Sequence, residues 1–212
     1  MYYSHDTLPK KYAEAGLGRI LDQVNSNFSV KSWGFSDGSF AHTHTIAYTI
    51  EGMLMQGFAA NGAETNAFIK AKNIAYTMLD IIEKNGKMAG SYDEDWNGDY
   101  SYICMPGNCQ IAIIFFYLYQ YIKDNRLLNA ADNALVPIFK RQHLSSMLPS
   151  AIRGTVPASW PPVLGKYMRW LFPNWAAKYL ADALMFRMSI ENENSRSDSE
   201  KSYFDLLEKY PG

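Results

Sequence analysis

Two alternations run through this chain together, one in its apolar pattern and one in the lengths of its connections. Between them they leave few folds open. Apolar residues recur at helical spacing almost everywhere, and strand signals are scarce. Residues 8–24 carry a single apolar stripe through Leu17, Ile20, Leu21 and Val24. So do residues 64–84, through Phe68, Ala71, Ile74, Ala75, Met78 and Leu79, and residues 126–143, through Leu127, Ala131, Ala134, Leu135 and Ile138. Residues 45–58, 108–122 and 174–189 are instead apolar on several faces. A striped helix shows a polar face to water, whereas one that is apolar all round is buried.

The connections follow the same beat. Short links follow the apolar helices, "AANGA" at 59–63 and "KDN" at 123–125. Long loops follow the striped ones, at 25–43, 86–107 and 144–173. Short links make antiparallel hairpins, so the long loops all emerge at one end and the short links at the other. His44, Asn108 and Asn174 each open an apolar helix, at intervals of 64 and 66 residues, which is an internal repeat. The expected architecture is all-α and concentric: about three helical hairpins, inner helices wrapped by outer ones, with the long loops on one face. Residues 1–189 form this unit. After Arg187 the composition turns polar, so 190–212 is expected to be a solvated linker, with a short last helix at "SYFDLLEKY".

Composition narrows the function. Lys and Arg total 20 against 21 Asp and Glu, with no basic stripe, which argues against nucleic acid as a partner. Fifteen tyrosines and five tryptophans suit a large core or a cleft lined with rings. Cys104 and Cys109 lack zinc-site spacing and read as buried, reduced thiols. The N-terminal stretch has no apolar signal region. The run "CQIAIIFFYLYQYI" is shorter than the ~20 residues that cross a bilayer. The expectation is a cytoplasmic chain without membrane insertion.

Three segments carry a resemblance: "AHTHTIAYTIEGML", "CMPGNCQIAIIFFYLYQ" with "NRLLNAAD" after it, and "FPNWAAKYLADALM". Together they resemble the α/α-toroid polysaccharide biosynthesis proteins of bacterial exopolysaccharide gene clusters. These share a superfamily with terpenoid cyclases, protein prenyltransferases and six-hairpin glycosidases. The resemblance covers about residues 8–188 and implies a partial α/α toroid acting in exopolysaccharide metabolism. A closed ring in such proteins has five to seven hairpins; with about three, apolar flanks stay exposed, and a homo-oligomer would cover them.

The loop-rich face holds the candidate site residues. His42 and His44 stand where a long loop runs into an inner helix, with Thr43 or Thr45 as its cap. Near a helix N-terminus an imidazole is disfavoured from charging and can act as a base or donate to a hydroxyl. No third ligand stands at zinc spacing, so no metal and no cofactor are expected. Tyr48 and Glu51 continue the same helix face; Glu51 is expected to be a paired structural acid, like Lys178 with Asp182. In "GSYDEDWNGDYSY", Asp93, Glu94, Asp95 and Asp99 alternate with Tyr92, Trp96, Tyr100 and Tyr102. Carboxylates among rings suit a sugar, since rings stack on pyranose faces and carboxylates bind hydroxyls or move protons. The spacing does not match a calcium-binding EF-hand loop. The third long loop adds Arg153, Trp160, Tyr167 and Arg169, stiffened by prolines. Asn108 and Asn174 are expected to cap their helices.

The resulting expectation is a carbohydrate-active protein with an oligo- or polysaccharide at the loop-rich face, of hydrolase, lyase or epimerase type. His42 or His44 serves as acid/base and Asp93 or Asp95 as partner carboxylate. Arg153 reads a sugar carboxylate, and Tyr48, Trp96, Tyr100, Trp160 and Tyr167 contact the sugar. A non-catalytic glycan-binding or scaffold module is the alternative. A prenyl- or terpenoid-type cleft is a third, against which stands the missing Asp-rich motif.

Overall fold

The computed structural model describes residues 7–36, 38–59 and 65–195. Its six helices are α1 (Thr7–Asp22), α2 (Thr43–Ala59), α3 (Asn66–Asn85), α4 (Met105–Ile122), α5 (Asn125–Phe139) and α6 (Asn174–Ser195). The inner helices α2, α4 and α6 pack side by side, with α4 in the middle; α3 backs α2 and α5 backs α4. The fold is an all-α partial α/α toroid.

The local reasons are legible. Pro106 pre-sets the first turn of α4, and buried residues run from Met105 to Tyr119 with Ile113 the one exception. Each large side chain enclosed there, such as Phe115 or Phe116, contributes about 1.5–3 kcal/mol. The outer helices bury one stripe only: Phe68, Ala71, Ile74, Ala75, Met78 and Leu79 on α3; Leu127, Ala131, Ala134, Leu135 and Ile138 on α5. Thr65 caps α3 by accepting from the Phe68 N–H at 3.2 Å, and Gly86 ends it in the left-handed region at φ 68°. The short link after α4 turns at Lys123, also left-handed, and Asp124 then caps α5 through the Arg126 N–H. α2 and α6 are less enclosed than α4. They leave Tyr48 and Met55, and Leu184, Met185 and Met188, exposed.

The three long loops meet at one end, as expected. They are knitted by five two-residue strands, too short for any alternation to register in sequence. These are β1 (Ala41–His42), β2 (Ser91–Tyr92), β3 (Gly98–Asp99), β4 (Ile103–Cys104) and β5 (Ser159–Trp160). β1, β2 and β3 form one antiparallel sheet with His42 opposite Ser91; β4 and β5 form another with Ile103 opposite Trp160. α4 is about 27 Å long at 1.5 Å per residue, so the 123–125 link lies at the far end. Most of the 59–63 link falls outside the described residues. At the loop end α2 and α4 nearly touch: a Cβ on Gly107 would sit 2.6 Å from the His44 amide nitrogen. Only glycine permits that approach.

Two expected caps are corrected. α4 begins three residues before Asn108, whose side chain donates to the Ala134 carbonyl of α5 at 3.2 Å. The Thr43 hydroxyl donates to the Ala89 carbonyl at 2.7 Å, tying the start of α2 to the second long loop. α6 continues to Ser195, past the composition boundary at 189. The rest of the polar tail, with "SYFDLLEKY", lies outside the described residues. No helix among those residues is long and apolar enough to cross a membrane.

Candidate active site on the inner face

His42 ends β1 and His44 lies in the first turn of α2, so both imidazoles are delivered to the loop-rich end. Rings from all three long loops and from α2 and α6 enclose them. His42 lies 5.2 Å from Tyr167 and 5.9 Å from Phe35, centroid to centroid. His44 lies 4.6 Å from Tyr48, 5.2 Å from Tyr167 and 6.0 Å from Tyr179. The Tyr179 hydroxyl donates to Tyr48 at 2.8 Å, closing α6 onto α2.

The hydrogen bonds fix what each imidazole can do. His42 Nδ1 meets the Tyr102 hydroxyl at 2.7 Å. His44 Nδ1 meets the Oε1 of Gln110, from α4. A carbonyl oxygen only accepts, so Nδ1 of His44 carries the proton and Nε2 is left as the basic nitrogen. Burial lowers the pKa of both histidines. For His42 the nearby His44 and the Lys166 ammonium lower it further; for His44 the Gln110 bond partly offsets the burial. Both are neutral bases near pH 7.

Glu51 lies two turns along α2 from His44, about 10 Å at 1.5 Å per residue. Burial raises its pKa above the ordinary carboxylate value, while Lys178 and the Gln110 amide pull it back and Asp182 pushes it up again. The Gln110 amide nitrogen is buried and faces Glu51 without a well-formed hydrogen bond. Lys178 and Asp182 form the expected i,i+4 ion pair at 2.8 Å, half-exposed on α6. The inner face therefore brings together a neutral base and an acid of raised pKa from α2 and an ion-paired carboxylate from α6.

The other expected site residues are dispersed. Asp93 spends its carboxylate on its own turn, accepting from the Asp95 and Asn97 N–H groups at 3.0 and 2.8 Å and from Asn97 Nδ2 at 2.9 Å. Asp95 is exposed at the tip of that turn. No carboxylate stands among the groups that shift His42 or His44, so the pairing expected with Asp93 or Asp95 is not assembled. Trp96 packs edge-on against Trp33 at 5.0 Å and donates to the Asn27 carbonyl at 3.0 Å, which makes it a strut between two loops. Glu94 does the same through the Ser32 N–H. Arg153 donates to the Ser146 and Leu148 carbonyls within its own loop. Tyr100 and Trp160 face a groove on the outer side of α4. Tyr48 and Tyr167 are the expected sugar contacts that join the histidines. Asp99 is the carboxylate of its loop that reaches this side, through Lys166 at 2.7 Å.

Tyr179 was missed as part of this site, Gln110 was expected only as a residue that caps its helix or faces the cleft, and Glu51 was expected as a paired structural acid. The available signal was Gln110 itself, a lone amide early in an apolar helix, because a buried amide needs partners. Among the described residues no group of three His, Cys, Asp or Glu side chains is placed to bind a metal ion. Cys104 and Cys109 are buried free thiols, and burial pushes Cys104 up to about 12.

No family model matches this chain, and no curated relative does. Two solved structures share its fold. One is a novel alpha-amylase from Clostridium perfringens, with a TM-score of 0.58 and 11% identity, covering 96% of this chain and 55% of that one. The other is an unsaturated glucuronyl hydrolase specific for heparin, with a TM-score of 0.52 and 12% identity, covering 92% of this chain and 72% of that one. This chain thus spans little more than half the length of the amylase. The likeness is one of fold, a toroid of helical hairpins.

Proposed function

We propose that this chain is a carbohydrate-active protein of the hydrolase type, taking a glycan on the inner loop-rich face with Glu51 as proton donor. The observation that carries this reading is the burial-raised carboxyl of Glu51, set beside Gln110, on the face where α2, α4 and α6 meet. Both fold neighbours are named as carbohydrate enzymes, which supports the substrate class. The resemblance to exopolysaccharide proteins supports a bacterial extracellular polysaccharide as the polymer.

The chemistry follows the two-carboxylate scheme. Glu51 gives its proton to the glycosidic oxygen as the bond to the anomeric carbon breaks. Water bonds to that carbon, and its proton passes to Asp182, the second carboxylate on this face. His44 Nε2 accepts from a sugar hydroxyl, and Tyr48 and Tyr167 offer ring faces. The test is a screen of soluble glycans for binding, for new reducing ends and for the ultraviolet absorbance of an elimination product. Glu51→Gln should abolish release of reducing ends and spare binding. Unchanged turnover in that variant overturns the role of Glu51, and an ultraviolet-absorbing product overturns hydrolysis.

A second reading is a non-catalytic glycan-binding module, favoured by the enclosure of both imidazoles in rings and by the absence of Asp93 and Asp95 from their side. It predicts that the wild-type protein binds a glycan without turnover, and that His44→Gln leaves that binding intact.

A further inference from the structure

Asn108 and Gln110 stand two positions apart on α4, so their side chains diverge by about 200°. Gln110 meets His44 on the inner face, and Asn108 meets Ala134 on α5. On the Asn108 side a groove of about 890 Å³ runs between α3 and α5, closed at the loop end by Tyr100–Ile103 and by Trp160 and Pro161. That volume falls within the range of small-molecule sites. The Tyr102 ring lines this groove while its hydroxyl holds His42, so one buried side chain is the wall between the two sides.

Two polar atoms in the groove wall are buried and unpaired. Asn108, only 3% exposed, has an Oδ1 that lacks a donor, and Arg141 has an Nε that lacks an acceptor. An apolar ligand would leave both unsatisfied, at a cost a hydroxyl and an anion would remove. The Arg141 guanidinium lies over Trp160, 5.3 Å from the ring centroid, and Lys87 lies over Tyr100 at 5.4 Å. The charge balance is cationic. Arg126 is neutralised by Glu83 and Asp80, whereas Lys87, Lys140 and Arg141 have no carboxylate partner among the described residues. Asn129 and Asn133, exposed at i and i+4 on α5, add amides along the same wall.

We propose that this outer groove is a second ligand site, separate from the inner face, that binds a carboxylated oligosaccharide. The guanidinium takes the sugar carboxylate side-on in two parallel hydrogen bonds from Nε and Nη2, its Nη1 being held by the Pro137 carbonyl at 3.0 Å. A hydroxyl donates to Asn108 Oδ1, and the α5 amides read further hydroxyls. A bare phosphate would satisfy the arginine and leave Asn108 unpaired.

The test is calorimetric titration of the full chain with a short oligouronate, a neutral oligoglucan of equal length and inorganic phosphate. The oligouronate should bind best and weaken with salt. Arg141→Gln should weaken it about tenfold to a hundredfold, and Lys140→Glu, on the exposed surface of the groove where folding is not at stake, should weaken it about tenfold. Glu51→Gln and His44→Gln act on the inner face and should leave in place the groove's own binding event, the one that Arg141→Gln weakens. The proposal is overturned if the oligouronate does not bind, if phosphate or the neutral glucan binds as tightly, or if the inner-face variants lose the affinity and the groove variants keep it. It borrows from the inner-face reading only the idea of a polymeric ligand. A chain that never turns over a glycan would sink that reading and leave this titration standing.

Discussion

α4 presents one buried amide to each side of the wall it forms, and the two sides differ in kind. Around Gln110 the surroundings are imidazole and phenol rings with one half-buried acid, and polar atoms mostly find partners within the protein. Around Asn108 the surroundings are cations on an open groove, and two polar atoms find none. The inner side is tight and close to neutral, which suits tuning a proton. The outer side is wide and charged, which suits holding an anion. The same side-chain chemistry on the same helix takes opposite roles because its neighbours come from different loops and helices.

The comparison breaks most completely if α4 itself gives way. Phe116→Ala removes a fully buried ring between the two sides and should cost about 3–5 kcal/mol in denaturant unfolding. Both sides should fail together; loss of one alone would show that α4 does not couple them. Glu51→Gln should lower turnover by about 10²- to 10⁴-fold, the usual range for a lost general acid, with no effect on oligouronate affinity at the groove.

The two amides themselves should differ more modestly. Gln110→Leu leaves the His44 Nδ1–H buried without an acceptor and should cost about 1–3 kcal/mol. Asn108→Ala loses one bond to Ala134 and should cost about 1 kcal/mol. Equal losses in urea titrations would erase the distinction. The smallest effect is on pH dependence, and it has two opposed limbs. The lowered histidine pKa values mean that stability is lost as pH falls below 6.5, the ordinary value, and through the folded values. The raised Glu51 pKa means a contribution fully present below 4.5 and lost as pH rises through its folded value. Thermal midpoints of the His42→Gln, His44→Gln double variant should fall less on the acid side. Those of Glu51→Gln should lose the upper limb.

Much of the inner site was legible and still not assembled by reading alone. Residues 41–54 carry two histidines, a tyrosine and a glutamate, and all four stand on one side of the fold. The acidic-aromatic stretch was the richer signal, and it was the one that misled. Asp93 closes its own turn, and Trp96 reaches Asn27, 69 positions earlier. A loop's composition reports what chemistry is available, and whether that chemistry is already spent within the fold depends on partners far away in sequence. Arg153 was lost to nearby carbonyls for the same reason, and Trp160 to the opposite side of the wall.

The helix order, the concentric packing, the stop at Gly86 and the gathering of the long loops at one end were set by the sequence alone. Each rests on apolar spacing or connection length, and both act within one element or between adjacent ones. The side of α4 to which Tyr100, Tyr102, Trp160 and Tyr167 would turn was settled only when β1 paired with β2 and β4 with β5. Those pairings join loops some 50 residues apart through strands of two residues. Nothing so short leaves a periodic trace, because its stability comes from the helix starts that bring the strands together.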